Sequence, residues 1–579
     1  LGALALAVVL SALAGCTAAD PPVKFLIGVS QANLSEPWRI SMTDEIQRQA
    51  GLHPELRIIV ADASDSLGKQ IGDVEKFEGL GVDLLIISPL ESEALTPTVT
   101  RVFQSIPVIV LNRSVANYDY TLFIGPDNAR IGQEAGRFVA RTLQNTGGEV
   151  LEVLGRSGSP PTLERAQSFR QEIARNPLIR LQSAVLANWL RDGAEDLVLE
   201  RLKVDAPPRV IFAHNDAMAY GAWMAAEKLG LSRKITFLGV DGLPGPRGGL
   251  ELLRSGVLDG TFVSPTGGKE AVEFALALLR HQGEQPKKVI LGTRFLTRND
   301  LEAAPVPASG LGPRSVAFLP STGGDGWSQR VRSSAEKALA AGGWSLSVLT
   351  GTEPTLPAGL DAVVVDASDS GVDDRRHREA IEASARARNL PLFRLGPQPP
   401  AGDDSGWTLA LGPDPLEEGR RAGRWLAGEG SRRILELTGP AGSAATRDRS
   451  QGLVQGVAER GSGLVTATVA TEGTRAAGRA AVAKALAEGL SFDAVFAHTD
   501  ELTLGAADAL KDKTAAAKVA IAGVGAGTDA LAALKAGLVG CLIRSPTDLG
   551  PLLRSDIVRS LDDRGVSRRL VTSHDVLTR

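Results

Sequence analysis

Short hydrophobic runs alternate with stretches of helical apolar spacing along almost the whole chain. KFLIGVS at 24–30, LRIIVADA, VDLLIISP, IPVIVLNRS and YTLFIGPDN read as buried strands, with helices expected to about Ala50, through Gln70 to Gly79, near 92–104, and from about Ala129 to Gln144. A second series follows, with strands EVLEVLGRSG, IRLQSAVLA, VIFA, ITFLGVDG and GVLDGTFVSP. Its helices are expected from about Pro161 to Arg175, near 192–203, from Ala217 to Leu229, and from about Lys269 to His281. Such alternation specifies an α/β fold with parallel sheets covered by helices. The two series form Rossmann-like halves joined by crossings near 125–128 and 264–266, and a body of that kind has a cleft between its halves.

The stretch VIFAHNDAMAYGAWMAAEKLG places His214, Asn215 and Asp216 between a strand end and a helix start. Open α/β sheets bind ligands at such positions, and Asn or Asp there also suits a helix N-cap. The stretch recurs as AVFAHTDELTLGAADALKD, with Phe212, Ala213, His214, Asp216 and Gly221 matched by Phe496, Ala497, His498, Asp500 and Gly505 at an offset of 284. Gly125-Pro126-Asp127 and Ala135-Gly136-Arg137 recur at Gly412-Pro413-Asp414 and Ala422-Gly423-Arg424, and Ser264-Pro265 recurs at Ser545-Pro546. A unit of about 270 residues has been duplicated whole, a period far too long for a solenoid.

The second copy begins at SVAFLPS and keeps the order LDAVVVD, LPLFRLG, WTLALGPD, RILELTG, DAVFAHTD, VAIAGVG, GLVGCLIRSP. TGTEPTLPAGL stands where the first copy has a full helix, so one covering element is expected to be missing. The expected organisation is a first domain at 24–300, a linker rich in Pro, Ala and Gly at 301–313, and a second, degenerate domain at 314–579.

Net charge is −4, which provides no general attraction for nucleic acid or anionic membranes, and no clustered basic tract provides a local one. The apolar run at 1–14 is too short for a membrane span and leads into Leu13-Ala14-Gly15-Cys16. This resembles a bacterial lipoprotein signal at 1–15, truncated at its start, with Cys16 lipidated and 16–23 a tether. With Cys16 acylated, Cys541 has no disulfide partner, and the mature protein is expected at the periplasm or cell surface, held to a membrane by lipid.

The order and spacing of VDLLIISP, GPDN, FAHNDAMAYGA and GVDG resemble the sugar-binding type I periplasmic binding proteins, the ribose and galactose receptors of ABC importers. The first loop, Glu36-Pro37-Trp38-Arg39, is most similar to the galactofuranose-type members. The resemblance implies two tandem type I units, each with two lobes around a ligand cleft, that capture a monosaccharide-like ligand by lobe closure and present it to a permease. A protein reporting to a membrane receptor or kinase, with the second domain as a docking module, would use the same clamp.

A sugar presents flat C–H faces and hydroxyls that both donate and accept, so its site needs an aromatic plate and planar polar partners. Trp38 is the candidate plate. Arg39, Arg113 and Arg165 are candidate donors, Asp241 an acceptor, and Asn112 and Asn215 can act both ways. In the second copy Trp327 and Arg449 remain, but Arg39 becomes Ser328, Asn112-Arg113 becomes Gly396-Pro397, Asn215 becomes Thr499 and Asp241 becomes Gly525. That copy is expected to have lost or changed its ligand.

Neither a phosphate-binding Gly-Lys loop nor a nucleophile elbow nor a metal-spaced His/Cys cluster occurs, so neither catalysis nor a cofactor or metal is expected. Gly523-Val524-Gly525-Ala526-Gly527 carries only half of a dinucleotide fingerprint.

Overall fold

The computed structural model describes residues 23–578 apart from 183, 283–284, 302–313, 322–325, 350–354, 368–371, 400–405, 440–442, 462, 512–518, 562–566 and 573. Cys16, the signal-like run and most of the expected linker lie outside the described residues. Contacts divide the chain into two compact units, one reaching to Tyr120 and including Gly268–Gln282, the other comprising Thr121–Gly267 and Gly283 onward.

In the first unit, strands Val108–Leu111, Leu84–Ser88, Phe25–Gln31 and Leu56–Asp62 lie in that order, all parallel. Leu84–Ser88 and Val108–Leu111 are buried at every position, the continuous apolar pattern of a sheet covered on both faces. The covering helices Pro37–Ala50, Leu67–Gly79, Ser92–Phe103 and Gly268–Leu279 fall where the apolar spacing placed them.

The second unit contains three sheets. One runs Arg294–Thr297, Gly260–Val263, Thr236–Asp241, Val210–Ala213, Gly148–Leu154, Ile179–Leu181, with Val185–Leu186 also on Gly148–Leu154. IRLQSAVLA, expected as one strand, is thus two short pieces; between them the Gln182 side chain donates to the Ala206 carbonyl at 3.1 Å. The second repeat supplies a matching sheet, Leu464–Ala470, Arg433–Thr438, Ala494–Ala497, Ala520–Gly525, Cys541–Arg544, Asp575–Thr578.

The third sheet joins the repeats. Its order is Leu122–Pro126, Lys288–Leu291, Ser567–Val571, Leu409–Gly412, Leu392–Leu395, Ala362–Asp366, Ser315–Leu319, Ser345–Val348. Lys288–Leu291 pairs antiparallel with Ser567–Val571, and each also pairs parallel with the crossing strand of its own repeat. Between Ser345–Val348 and Ala362–Asp366 there is no helix among the described residues. Leu356 and Leu360 from that connection instead pack on the core formed by Val363, Val365, Ile381 and Trp407.

Candidate functional site

The first unit holds four of the candidate residues, Trp38, Arg39, Asn112 and Arg113, and sets both arginines against Glu36. Pro37 starts the helix Pro37–Ala50, which sets Trp38 and Arg39 in its first turn, where both are buried. Arg39 Nη1 donates to Ser88 Oγ at 2.9 Å and to Gln31 Oε1 at 3.3 Å, and its Nε lies 3.3 Å from Glu36 Oε1. Arg113 Nη2 stands 3.7 Å from the same carboxylate. Burial alone would push the Glu36 carboxyl up, but Arg39, Arg113 and a 2.8 Å hydrogen bond from Asn33 hold it below its ordinary value. The cluster therefore carries one carboxylate against two guanidinium groups.

Trp38 Nε1 and Arg39 Nη2 are buried donors with no hydrogen-bond acceptor among the described residues. Burying such a donor unpaired costs about 1–3 kcal/mol, so two neighbouring ones mark a surface that suits an oxygen-rich ligand. Asn112 follows the strand Val108–Leu111 with φ at +67°, a left-handed conformation uncommon outside glycine.

The second unit holds Arg165, Asn215 and Asp241 at strand ends and helix starts. Asp127 caps the helix Asn128–Thr142 by accepting the Arg130 N–H at 3.0 Å. Gly132 on that helix lets the helix Pro160–Ile173 approach so closely that a Cβ there would stand 2.2 Å from the Arg165 carbonyl oxygen. Arg165 Nε donates to Asn128 Oδ1 at 2.9 Å, its Nη1 donates to the His214 carbonyl, and its guanidinium lies 5.8 Å from the centre of the Trp189 ring. Burial pulls the Arg165 pKa down to about 10, against the opposing charge of Asp241.

His214 and Asp216 resolve into architecture, and Asn215 is fixed in place between them by its own hydrogen bonds. His214 Nε2 meets Glu152 at 3.1 Å. Asn215 Oδ1 caps its helix through the Met218 N–H at 2.8 Å, and its Nδ2 donates to the Trp189 carbonyl at 3.0 Å. Asp216 accepts the Gly242 N–H at 2.7 Å and the Thr261 hydroxyl at 2.6 Å. The second repeat does the same with His498 on Glu436, Thr499 capping Leu502, and Asp500 accepting the Ala526 and Gly527 N–H groups.

Trp189 and Asn128 escaped the sequence reading although both touch Arg165. The signal for Trp189 lay in the duplicate: at offset 284 stands Gly473, and both residues are left-handed, at +71° and +79°. The same holds for Asn112 at +67° against Gly396 at +136°, and for Asp241 at +120° against Gly525 at +135°. At three matched left-handed positions, then, the first repeat keeps a polar or aromatic side chain where the second has glycine.

In the second repeat the matching side chains are tied to groups of that repeat. Arg449 Nε donates to Glu418 at 2.7 Å, and Ser545 Oγ donates to the same carboxylate at 2.5 Å. Trp327 Nε1 donates to the Pro546 carbonyl at 3.1 Å, and the Ser328 hydroxyl donates to Asp366. Glu418 stands where the first repeat has Ile131, so an internal carboxylate occupies the guanidinium.

A profile of the periplasmic binding protein domain family matches residues 27–285 and 316–552. The ribose import binding protein of Bacillus subtilis (strain 168) is 33% identical over 224 residues, 38% of this chain and 70% of that protein. That of Salmonella typhimurium (strain LT2) is 28% identical over 279 residues, 48% of this chain and 92% of its relative. Among solved structures, the fructose-binding periplasmic domain of a hybrid two-component system is 38% identical with a TM-score of 0.46, covering 48% of this chain and 91% of that one.

Proposed function

The chain belongs to the periplasmic binding protein domain family, and from that premise we propose that it is an extracytoplasmic substrate-binding lipoprotein whose first repeat captures a monosaccharide-like ligand for an ABC-type importer. Its ligand contacts are Trp38, Arg39, Asn112 and Arg113 in one unit and Arg165, Asn215 and Asp241 in the other, with Trp189 steadying Arg165. The observation that carries this reading is the retention of Asn112, Trp189 and Asp241 at left-handed positions where the second repeat has glycine. Strained residues cost about 1–3 kcal/mol each and persist where function requires their side chains. The names of the two curated relatives, both ribose import binding proteins, support a sugar as cargo.

The domains are 24–300 and 314–579, and the second repeat, with Arg449 neutralised by Glu418, binds no ordinary sugar. Cys16 carries the lipid. A thermal-shift screen of the chain from Thr17 onward against pentoses, hexoses and polyols tests the reading. A ligand at a hundredfold over its dissociation constant stabilises its domain by about 2.7 kcal/mol. One transition should rise with a sugar while another stays in place; no shift with any of these compounds would end the sugar reading. Transport in vesicles carrying the cognate permease then separates delivery to an importer from reporting to a receptor.

A further inference from the structure

The strands that join the repeats meet about a local two-fold axis. Val289 faces Leu570, with Lys288 opposite Val571 and Ile290 opposite Arg569, and at an offset of 281 Lys288 corresponds to Arg569 and Val289 to Leu570. Each strand therefore presents the same register to the other, the self-complementary arrangement of a symmetric dimer built into one chain. Val289, Leu291, Leu570 and Val571 are buried there.

Two ion pairs obey the same symmetry. Arg569 Nη2 lies 2.8 Å from Asp127 Oδ2, and Lys288 Nζ lies 3.6 Å from Asp414 Oδ2. Asp127 and Asp414 are the repeated Gly-Pro-Asp aspartates, and each uses its other oxygen to cap its own helix, at Arg130 and at Leu416 and Glu417. Each repeat thus holds the helix cap of the other.

Past the caps the symmetry breaks. Asp127 precedes Asn128, whose side chain receives Arg165 Nε. Asp414 precedes Pro415, which has no such group, and Arg449 is tied to Glu418. We infer that the second repeat is a fixed internal partner of the first, and that its Arg569 is a positioning residue for Arg165, acting through Asp127 and Asn128. Only the link from Arg165 to ligand affinity rests on the function proposed above. The chain of contacts gives the degenerate repeat a task that needs no ligand of its own.

The test compares Arg569→Gln, Arg569→Lys and Lys288→Gln in the whole chain from Thr17 by amide hydrogen exchange without ligand. Arg569→Gln should speed exchange at Arg130 and Ile131 and through the turn of helix that carries Arg165 by at least tenfold, and Arg569→Lys should restore most of the protection. Lys288→Gln should leave those amides within twofold of the parent and loosen Leu416 and Glu417 instead. In titrations with D-ribose and D-fructose, Arg569→Gln should weaken any binding seen in the parent at least threefold and Lys288→Gln less than twofold. Unchanged exchange at Arg130 in Arg569→Gln, or equal acceleration there by Lys288→Gln, would overturn the inference. A parent that binds neither these nor any other sugar would overturn the sugar reading, with the exchange results still deciding the role of Arg569.

Discussion

His214 Nε2 lies 3.1 Å from Glu152 Oε1 with both side chains shut away from solvent, and the second repeat reproduces the pair at 2.9 Å between His498 and Glu436. Each pair ties the end of one strand to its neighbour in the sheet, away from solvent. The most plainly repeated motif of the chain is therefore a sheet fastening, which explains why it survives in a repeat that has Gly396-Pro397 and Gly525 in place of Asn112-Arg113 and Asp241.

Burial pulls the pKa of His214 and His498 below the ordinary value of 6.5, and that of His574 down to about 4. A histidine held neutral when folded contributes stability at pH above 6.5, and that contribution is lost as the pH falls towards the folded value, because the unfolded chain takes up the proton first. For His574 the shift corresponds to up to about 3 kcal/mol. Unfolding of the second repeat followed calorimetrically should weaken from pH 7 to pH 4.5, and His574→Gln should flatten the slope. An equal slope in the variant would remove His574 as its source.

Asp241 provides a way to separate strain from chemistry. At φ +120° alanine keeps the unfavourable backbone and loses the carboxylate, whereas glycine loses the carboxylate and relaxes the backbone. Both Asp241→Ala and Asp241→Gly should weaken sugar binding more than tenfold, since a charge-assisted hydrogen bond contributes about 1.5–3 kcal/mol. The glycine variant should be the more stable of the two by about 1 kcal/mol or more in denaturant titration. Equal stabilities would mean that this backbone position carries no strain.

These positions also show what the sequence could express. Most strands of both repeats, and most helices of the first, were legible because each is a local pattern of apolar spacing. The replacements Asn112 by Gly396 and Asp241 by Gly525 were visible too, but only as lost polar groups; their shared left-handed backbone emerges with the dihedral angles. The strands Lys288–Leu291 and Ser567–Val571 went unread because short apolar runs are ambiguous alone, and the partners that make each a strand lie roughly 160 and 280 residues away. The helix Gly249–Ser255 is only two turns long and starts without a side-chain cap, so it leaves little periodic signal. Likewise nothing local in the sequence sets Glu418 against Arg449, since 31 residues separate them and only the packing of their two helices brings the pair together.

Cys541 offers a probe of the second repeat alone. It is buried in the strand Cys541–Arg544, and burial together with the charge of Glu429 pushes its thiol up to about 12. Thiolate is the reactive form, so at pH 8 the folded thiol should react with iodoacetamide at least a thousandfold more slowly than a free cysteine. In the chain from Thr17, which lacks Cys16, labelling should follow the unfolding of the second repeat and ignore sugar. Rapid labelling under native conditions would show that the strand opens locally.

Arg165 and Arg449 occupy matching positions and should respond to the same substitution in opposite ways. Arg449 is paired at 2.7 Å with Glu418, which burial alone would raise but which Arg449, His574 and Ser545 together hold below its ordinary value. Removing Arg449 strands that carboxylate in the interior, and breaking a buried pair costs about 3–5 kcal/mol. Arg449→Ala should therefore destabilise the second repeat by that amount and leave sugar affinity unchanged. Arg165 donates to Asn128 Oδ1 and the His214 carbonyl, both neutral acceptors, and Asp216, one of the carboxylates whose charge acts on it, keeps its hydrogen bonds from Gly242 and Thr261 when the guanidinium goes. Arg165→Ala should cost less stability and reduce sugar affinity by at least a hundredfold, since a charged hydrogen bond and the Trp189 contact are lost together. Calorimetry on both variants decides the matter: an affinity loss in Arg449→Ala as large as in Arg165→Ala would place a working ligand site in the second repeat.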